Sequence, residues 1–88
     1  MSENTLRGPI EAILMVASEP VAASELADVL GVSVEDVEAQ LRALAAEYLG
    51  EGQDRPRGFE LREVADGWRI YSARAYADVV GRFVVGSS

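Results

Sequence analysis

The run Ser24-Glu25-Leu26-Ala27-Asp28-Val29-Leu30-Gly31-Val32-Ser33, continued by Val37 and Leu41, constrains the fold more than any other part of the chain. Leu26, Val29 and Leu30 recur at helical spacing with Glu25 and Asp28 turned outward, so the segment reads as a short amphipathic helix. Gly31 can take the left-handed conformation that ends a helix, at no side-chain cost. Ser33 can accept a backbone N–H as the N-cap of a second helix, with Asp36 three residues on in a capping-box-like position. Ala27 is small where the two helices would cross closely. A helix, a glycine stop, a serine restart and a second helix make the pattern of a helix-turn-helix.

The flanking segments predict what surrounds that motif. Pro9 suits the first turn of a helix, where its missing N–H is not needed. Ile10, Ile13, Leu14 and Ala17 then follow at i, i+3, i+4, i+7, which predicts a core-facing helix over 10–18, ended by Pro20. Helices are expected at 24–30 and 34–49, the latter with Val37, Leu41, Leu44, Ala45 and Tyr48 on one face. Residues 50–58 are rich in glycine and charge and form a loop. Beyond Gly58 the apolar period becomes two, so 59–64 should pair antiparallel with 68–72. Ala65-Asp66-Gly67 is then a three-residue hairpin loop with Gly67 at positive φ. From Ser72 or Ala73 onward Tyr76, Val79, Val80, Phe83 and Val84 return to helical spacing. The expected fold is α+β, a single winged-helix domain over 1–88. It places a helix-turn-helix at 24–49, a hairpin wing at 58–72 and a C-terminal helix at 73–85.

Charge argues against the usual use of that fold. The helix expected to enter a DNA groove carries Glu35, Asp36, Glu38 and Glu47 against Arg42 alone. Of the net charge of −7, residues 1–54 carry −9 and residues 55–88 carry +2. The first half repels a polyanion, and a solvated acidic face is the simpler reading of its carboxylates. A DNA contact would have to come from the wing arginines Arg62 and Arg69 and from Arg55 and Arg57 in the loop before it. That alternative makes the chain a winged-helix transcription regulator.

Other chemistry is poorly supplied. The 88 residues contain neither cysteine nor histidine, which removes disulfide staples, thiolate chemistry, the commonest general base and the commonest metal ligand. No phosphate-binding loop, dinucleotide turn or nucleophile elbow occurs. We therefore expect no enzyme activity, no cofactor and no metal. No apolar stretch approaches the ~20 residues needed to span a bilayer, and Met1-Ser2-Glu3-Asn4 is not the basic start of a signal peptide. There is, however, more apolar surface than a small domain can bury. Leu14, Met15 and Val16 on the first helix, with Trp68, Tyr71, Phe83 and Val84, are the candidate residues of a dimer or partner interface. Ordinary core is the competing reading of the same positions.

The order of these parts resembles one family. Leu6-Arg7-Gly8-Pro9-Ile10-Glu11-Ala12-Ile13-Leu14-Met15-Val16-Ala17-Ser18-Glu19-Pro20-Val21 is similar to the opening of segregation and condensation protein B, an I-E-A-I-L-x-x-A helix closing on an E-P-V turn. Gly58-Phe59-Glu60-Leu61-Arg62-Glu63-Val64-Ala65-Asp66-Gly67-Trp68-Arg69-Ile70 looks like that family's G-x-x-L…G-W-x-x segment, and Ser72-Ala73-Arg74-Ala75-Tyr76-Ala77 resembles the stretch leading to its fourth helix. The resemblance implies a bacterial, cytoplasmic, nucleoid-associated protein with two winged-helix domains in tandem, of which this chain matches the first. It also implies a non-enzymatic adaptor that forms homodimers and binds a kleisin, which bridges an SMC ATPase in chromosome condensation and segregation.

Overall fold

The computed structural model describes residues 3–52 and 55–86. Three helices come first: α1 (Glu3–Val16), α2 (Ala23–Leu30) and α3 (Val34–Tyr48). A hairpin of β1 (Phe59–Val64) and β2 (Gly67–Ser72) follows, then a 3-10 turn (Arg74–Tyr76) and α4 (Ala77–Gly86). The arrangement is the α+β winged helix expected from the sequence.

The helix-turn-helix forms as its punctuation dictates. Gly31 is left-handed (φ 69°, ψ 36°) and its N–H donates to the Ala27 carbonyl at 2.8 Å. The Ser33 hydroxyl accepts the Asp36 N–H at 3.1 Å, satisfying one of the four backbone donors exposed at the start of α3. Leu26 and Ala27 of α2 pack with Val37, Leu41, Leu44 and Tyr48 of α3 in one core. Val29, expected on the same apolar face as Leu26, is instead exposed, because eight residues bury only one narrow stripe.

The first helix departs from the sequence reading. It begins at Glu3 and ends at Val16, and Pro9 lies inside it. Leu6 is fully buried one turn before Ile10, so Leu6, Ile10, Ile13 and Leu14 make a stripe that carries the helix back through the proline. Pro9 itself faces solvent. Its missing N–H and ring clash disfavour a helix interior, and burial of Leu6 and an ion pair from Arg7 to Glu47 on α3 offset that cost.

The hairpin register runs from Phe59↔Ser72 to Val64↔Gly67, so the loop has two residues, Ala65 and Asp66. The positive φ falls on Ala65 (49°) and not on Gly67. Gly67 is required for another reason. A Cβ there would stand 2.8 Å from Pro20 Cβ and 3.0 Å from Val21 N. Val21 pairs with Trp68 through hydrogen bonds of 2.9 and 2.8 Å, adding a one-residue bridge to the free edge of β2 and tying the α1–α2 connection to the wing. Phe59, Leu61, Trp68 and Ile70 turn inward, where Phe59 meets Tyr48 edge to face at 4.8 Å.

The last segment stands apart from this core. Ala73 is buried and its N–H donates to the Gly58 carbonyl at 2.8 Å, but helix does not start there. The 3-10 turn intervenes and α4 begins at Ala77 with none of its residues buried. The Cα radius of gyration is 14.2 Å, against about 12 Å for a compact chain of this length. A helix projecting from the domain accounts for the excess.

Candidate partner-binding surfaces

Helix α4 is the largest uncovered apolar element. Val79, Val84 and Val85 are at least half exposed and Phe83 is 73% exposed. At the end of α1, Met15 and Val16 are also exposed, at 68% and 83%. The seven apolar candidates therefore separate. Met15, Val16, Phe83 and Val84 lie on the surface. Leu14 and Trp68 are 2% and 6% exposed inside the core and offer almost no side-chain surface to a partner. Tyr71 is half-buried on the outer face of the wing.

The direction of α4 is set by one carboxylate. Glu60, on β1, is 7% exposed and accepts the Arg74 backbone N–H at 3.0 Å and the Arg74 Nε–H at 3.2 Å. That backbone hydrogen bond, with the guanidinium, holds the Glu60 carboxyl below the usual carboxylate range. The latch fixes the turn from which α4 departs. Reading the sequence missed it, since Glu60 occupies an outward strand position and nothing local marks it as buried.

A second polar network fastens α1 to α3. Arg7 donates both terminal nitrogens to Glu47, and Arg57 approaches Glu47 at 3.4 Å. The hydrogen bonds from Arg7 hold the Glu47 carboxyl low and Arg7 firmly charged. Burial, and donation of its hydroxyl to Glu11, push the Tyr48 phenol above its ordinary value.

The four candidate DNA contacts have different surroundings. Arg57 is committed to Glu47 and to the Arg55 carbonyl, the latter at 2.5 Å. Arg62 and Arg69 sit opposite each other on the hairpin and both lie over the Tyr71 ring, 4.1 and 5.6 Å from its centroid. Arg55 is exposed in the loop. On α3, Glu35 and Asp36 are exposed, and Arg42 is drawn to Glu38 at 3.8 Å.

A cleft of about 310 Å³ opens at the base of α4, lined by Leu49, Pro56, Arg57, Glu60, Ala73 and Tyr76. Its carboxylate is Glu60, both oxygens of which accept hydrogen bonds from Arg74. Among the described residues, no group of three or more His, Cys, Asp or Glu is placed to hold a metal ion.

Known proteins match this architecture along nearly the whole chain. The family model for segregation and condensation complex subunit ScpB matches residues 8–88. The chain belongs to this family. It is 37% identical over 76 residues to segregation and condensation protein B of Desulforamulus reducens, covering 86% of this chain and 40% of that one. It is 25% identical over 80 residues to the protein of that name from Alkaliphilus metalliredigens, covering 91% and 40%. The crystal structure of ScpB from Mycobacterium tuberculosis superposes with a TM-score of 0.87 at 30% identity, over 99% of this chain and 52% of that one. A crystal structure of the ScpB N-terminal domain dimer complexed with an ScpA peptide has a TM-score of 0.79 at 22% identity, over 91% and 95%. The chain spans about 40% of the length of the curated relatives. The resemblance read from the opening helix and the wing is thus borne out.

Proposed function

We propose that this domain is a non-enzymatic, dimerising adaptor of a bacterial chromosome segregation and condensation complex. It acts in the cytoplasm, at the nucleoid, and holds a kleisin subunit that bridges an SMC ATPase. The observation that carries the reading is α4, a ten-residue helix with no fully buried residue that exposes Phe83, Val84 and Val85. Apolar surface of this kind marks an interaction site. Burying a valine- or phenylalanine-sized side chain contributes roughly 1.5–3 kcal/mol, so a few such anchors suffice for a modest association. A homodimer needs only one self-complementary patch. The related ScpB N-terminal domain, crystallised as a dimer with an ScpA peptide, supports both the dimer and the kleisin as partner. The saturated Glu60 in the cleft and the acidic surface of α3 support an adaptor over an enzyme or a DNA reader.

Light scattering on the chain tests the dimer. The unmodified chain is expected at twice its monomer mass at high micromolar concentration. Val84→Asp and Met15→Glu should return it to monomer with an unchanged circular-dichroism spectrum, because both side chains lie outside the core. A monomer for the unmodified chain refutes the reading.

A further inference from the structure

The outer face of the wing carries an arrangement that the core does not explain. Arg62 and Arg69 are direct cross-strand partners. Like charges placed opposite each other in an antiparallel pair destabilise it. Both guanidinium groups lie over Tyr71, at 4.1 and 5.6 Å from the ring centroid. Stacking of this kind steadies a guanidinium while leaving its in-plane N–H donors unspent.

Among the described residues one carboxylate, that of Glu60, lies at ion-pair distance from the pair, and it reaches Arg62 alone. Glu60 Oε1 is 3.9 Å from Arg62 Nε, beyond hydrogen-bond reach, and its oxygens are taken by the N–H and Nε–H of Arg74. Arg62 Nε is buried without a hydrogen-bond partner. Among the described residues no carboxylate lies within ion-pair distance of Arg69, whereas Arg7, Arg42, Arg57, Arg62 and Arg74 each have one. Two stacked, half-buried cations with donors to spare are left side by side on a protein of net charge −7.

We propose that the Arg62–Tyr71–Arg69 face of the wing binds a carboxylate-bearing segment of a partner protein, with the guanidinium pair clamping one acidic side chain. Paired arginines match a carboxylate through charge-assisted, bidentate hydrogen bonds. The footprint selects a peptide over nucleic acid. Two adjacent cations satisfy a single carboxylate, while a nucleic-acid backbone is bound by neutralising a run of phosphates. The inference goes beyond the adaptor reading, because it assigns the chemistry of one contact whichever protein supplies it. It can fail while the dimer stands.

The test uses the chain labelled with nitrogen-15, following the Nε–Hε signals of Arg62 and Arg69 and the Tyr71 amide. The probes are a blocked peptide alternating glutamate with serine, its glutamine counterpart, and a short duplex DNA. The glutamate peptide should shift all three signals saturably and the glutamine peptide should not. Arg69→Gln should weaken binding roughly tenfold or more, the loss of one hydrogen bond between charged groups. The same substitution should raise the melting temperature by removing the like-charged pair. Equal binding of both peptides, saturable shifts with DNA but not peptide, no shift with the glutamate peptide, or a lowered melting temperature for Arg69→Gln would each overturn the proposal.

Discussion

Replacing Gly67 by alanine isolates the contact that joins the wing to the helical half of the domain. The new Cβ would lie 2.8 Å from Pro20 Cβ, 2.9 Å from the Pro20 carbonyl carbon and 3.0 Å from Val21 N. Carbon atoms pack at roughly 3.5–4.0 Å, so the Pro20–Val21 backbone has to retreat by about half an ångström or more. The two Val21–Trp68 hydrogen bonds, at 2.9 and 2.8 Å, lie in the path of that retreat. Their loss costs about 2 kcal/mol, and residual overpacking adds about 1–2 kcal/mol. The smaller entropy of an unfolded alanine returns about 0.5–1 kcal/mol. The net expectation is a destabilisation of about 2–3 kcal/mol. With a urea slope of about 1 kcal/mol per molar for so small a domain, the unfolding midpoint should fall by about 2 M. Trp68 is the single tryptophan, buried at the affected bridge, and its fluorescence reports the transition. Gly8 provides the control, since it is exposed within α1 and a Cβ there meets nothing within 4 Å. Gly8→Ala should stabilise by up to about 1 kcal/mol through helix propensity. A midpoint for Gly67→Ala within about 0.5 M of the unmodified chain would refute the packing argument, because a slope near 1 kcal/mol per molar makes that shift far smaller than the expected loss.

Three further outcomes are expected. Ser33→Ala removes the cap on the Asp36 N–H and should cost about 1 kcal/mol in the same urea titration. The carboxyls of Glu47 and Glu60 titrate below the ordinary glutamate range in the folded domain, so the stability they contribute is complete above that range and is lost as pH falls through the folded values. Thermal melts should therefore be flat from neutrality down to about pH 5 and fall below pH 4.5, with a shallower acid limb in Arg7→Ala, which deprives Glu47 of its main hydrogen bonds. Glu60→Ala opens the latch on Arg74, and hydrogen exchange of the Arg74 amide and of α4 should quicken while that of α3 amides does not.

Local grammar made most of the fold legible. Gly31 and Ser33 punctuate the helix-turn-helix by backbone conformation and side-chain capping, which depend on a few adjacent residues. The change of period at Phe59 likewise marks the hairpin without reference to the rest of the molecule. Beyond the turn at Ala65 and the 3-10 start of the last segment, the failures are tertiary. Pro9 reads as a helix start until the buried Leu6 is seen to extend the stripe behind it. Gly67 reads as a turn glycine, yet its backbone is ordinary and its missing side chain makes room for Pro20, distant in sequence. Val29 has the spacing of a core residue and faces solvent, because periodicity reports which residues share a face and not what covers that face.

The same limit governs the candidate surfaces. Leu14 and Met15 are adjacent in sequence and equally apolar, and their opposite fates depend only on a rotation of about 100° around the helix. Trp68 and Tyr71 belong to one strand, and the strand's alternation sends Trp68 into the core and Tyr71 outward to Arg62 and Arg69. In α4 the sequence shows the amphipathic spacing, but the structure shows that the domain itself buries none of its residues fully. The charge asymmetry follows a similar logic. The cationic half of the chain supplies Arg57 to the Glu47 network of the acidic half, while Arg74 is turned onto Glu60. What remains of the positive charge on the wing is concentrated at Arg62 and Arg69, where it destabilises the strand pair that carries it. If both proposals hold, charge at the wing supplies specificity and apolar area along α4 supplies affinity, since charged contacts discriminate partners more than they tighten binding.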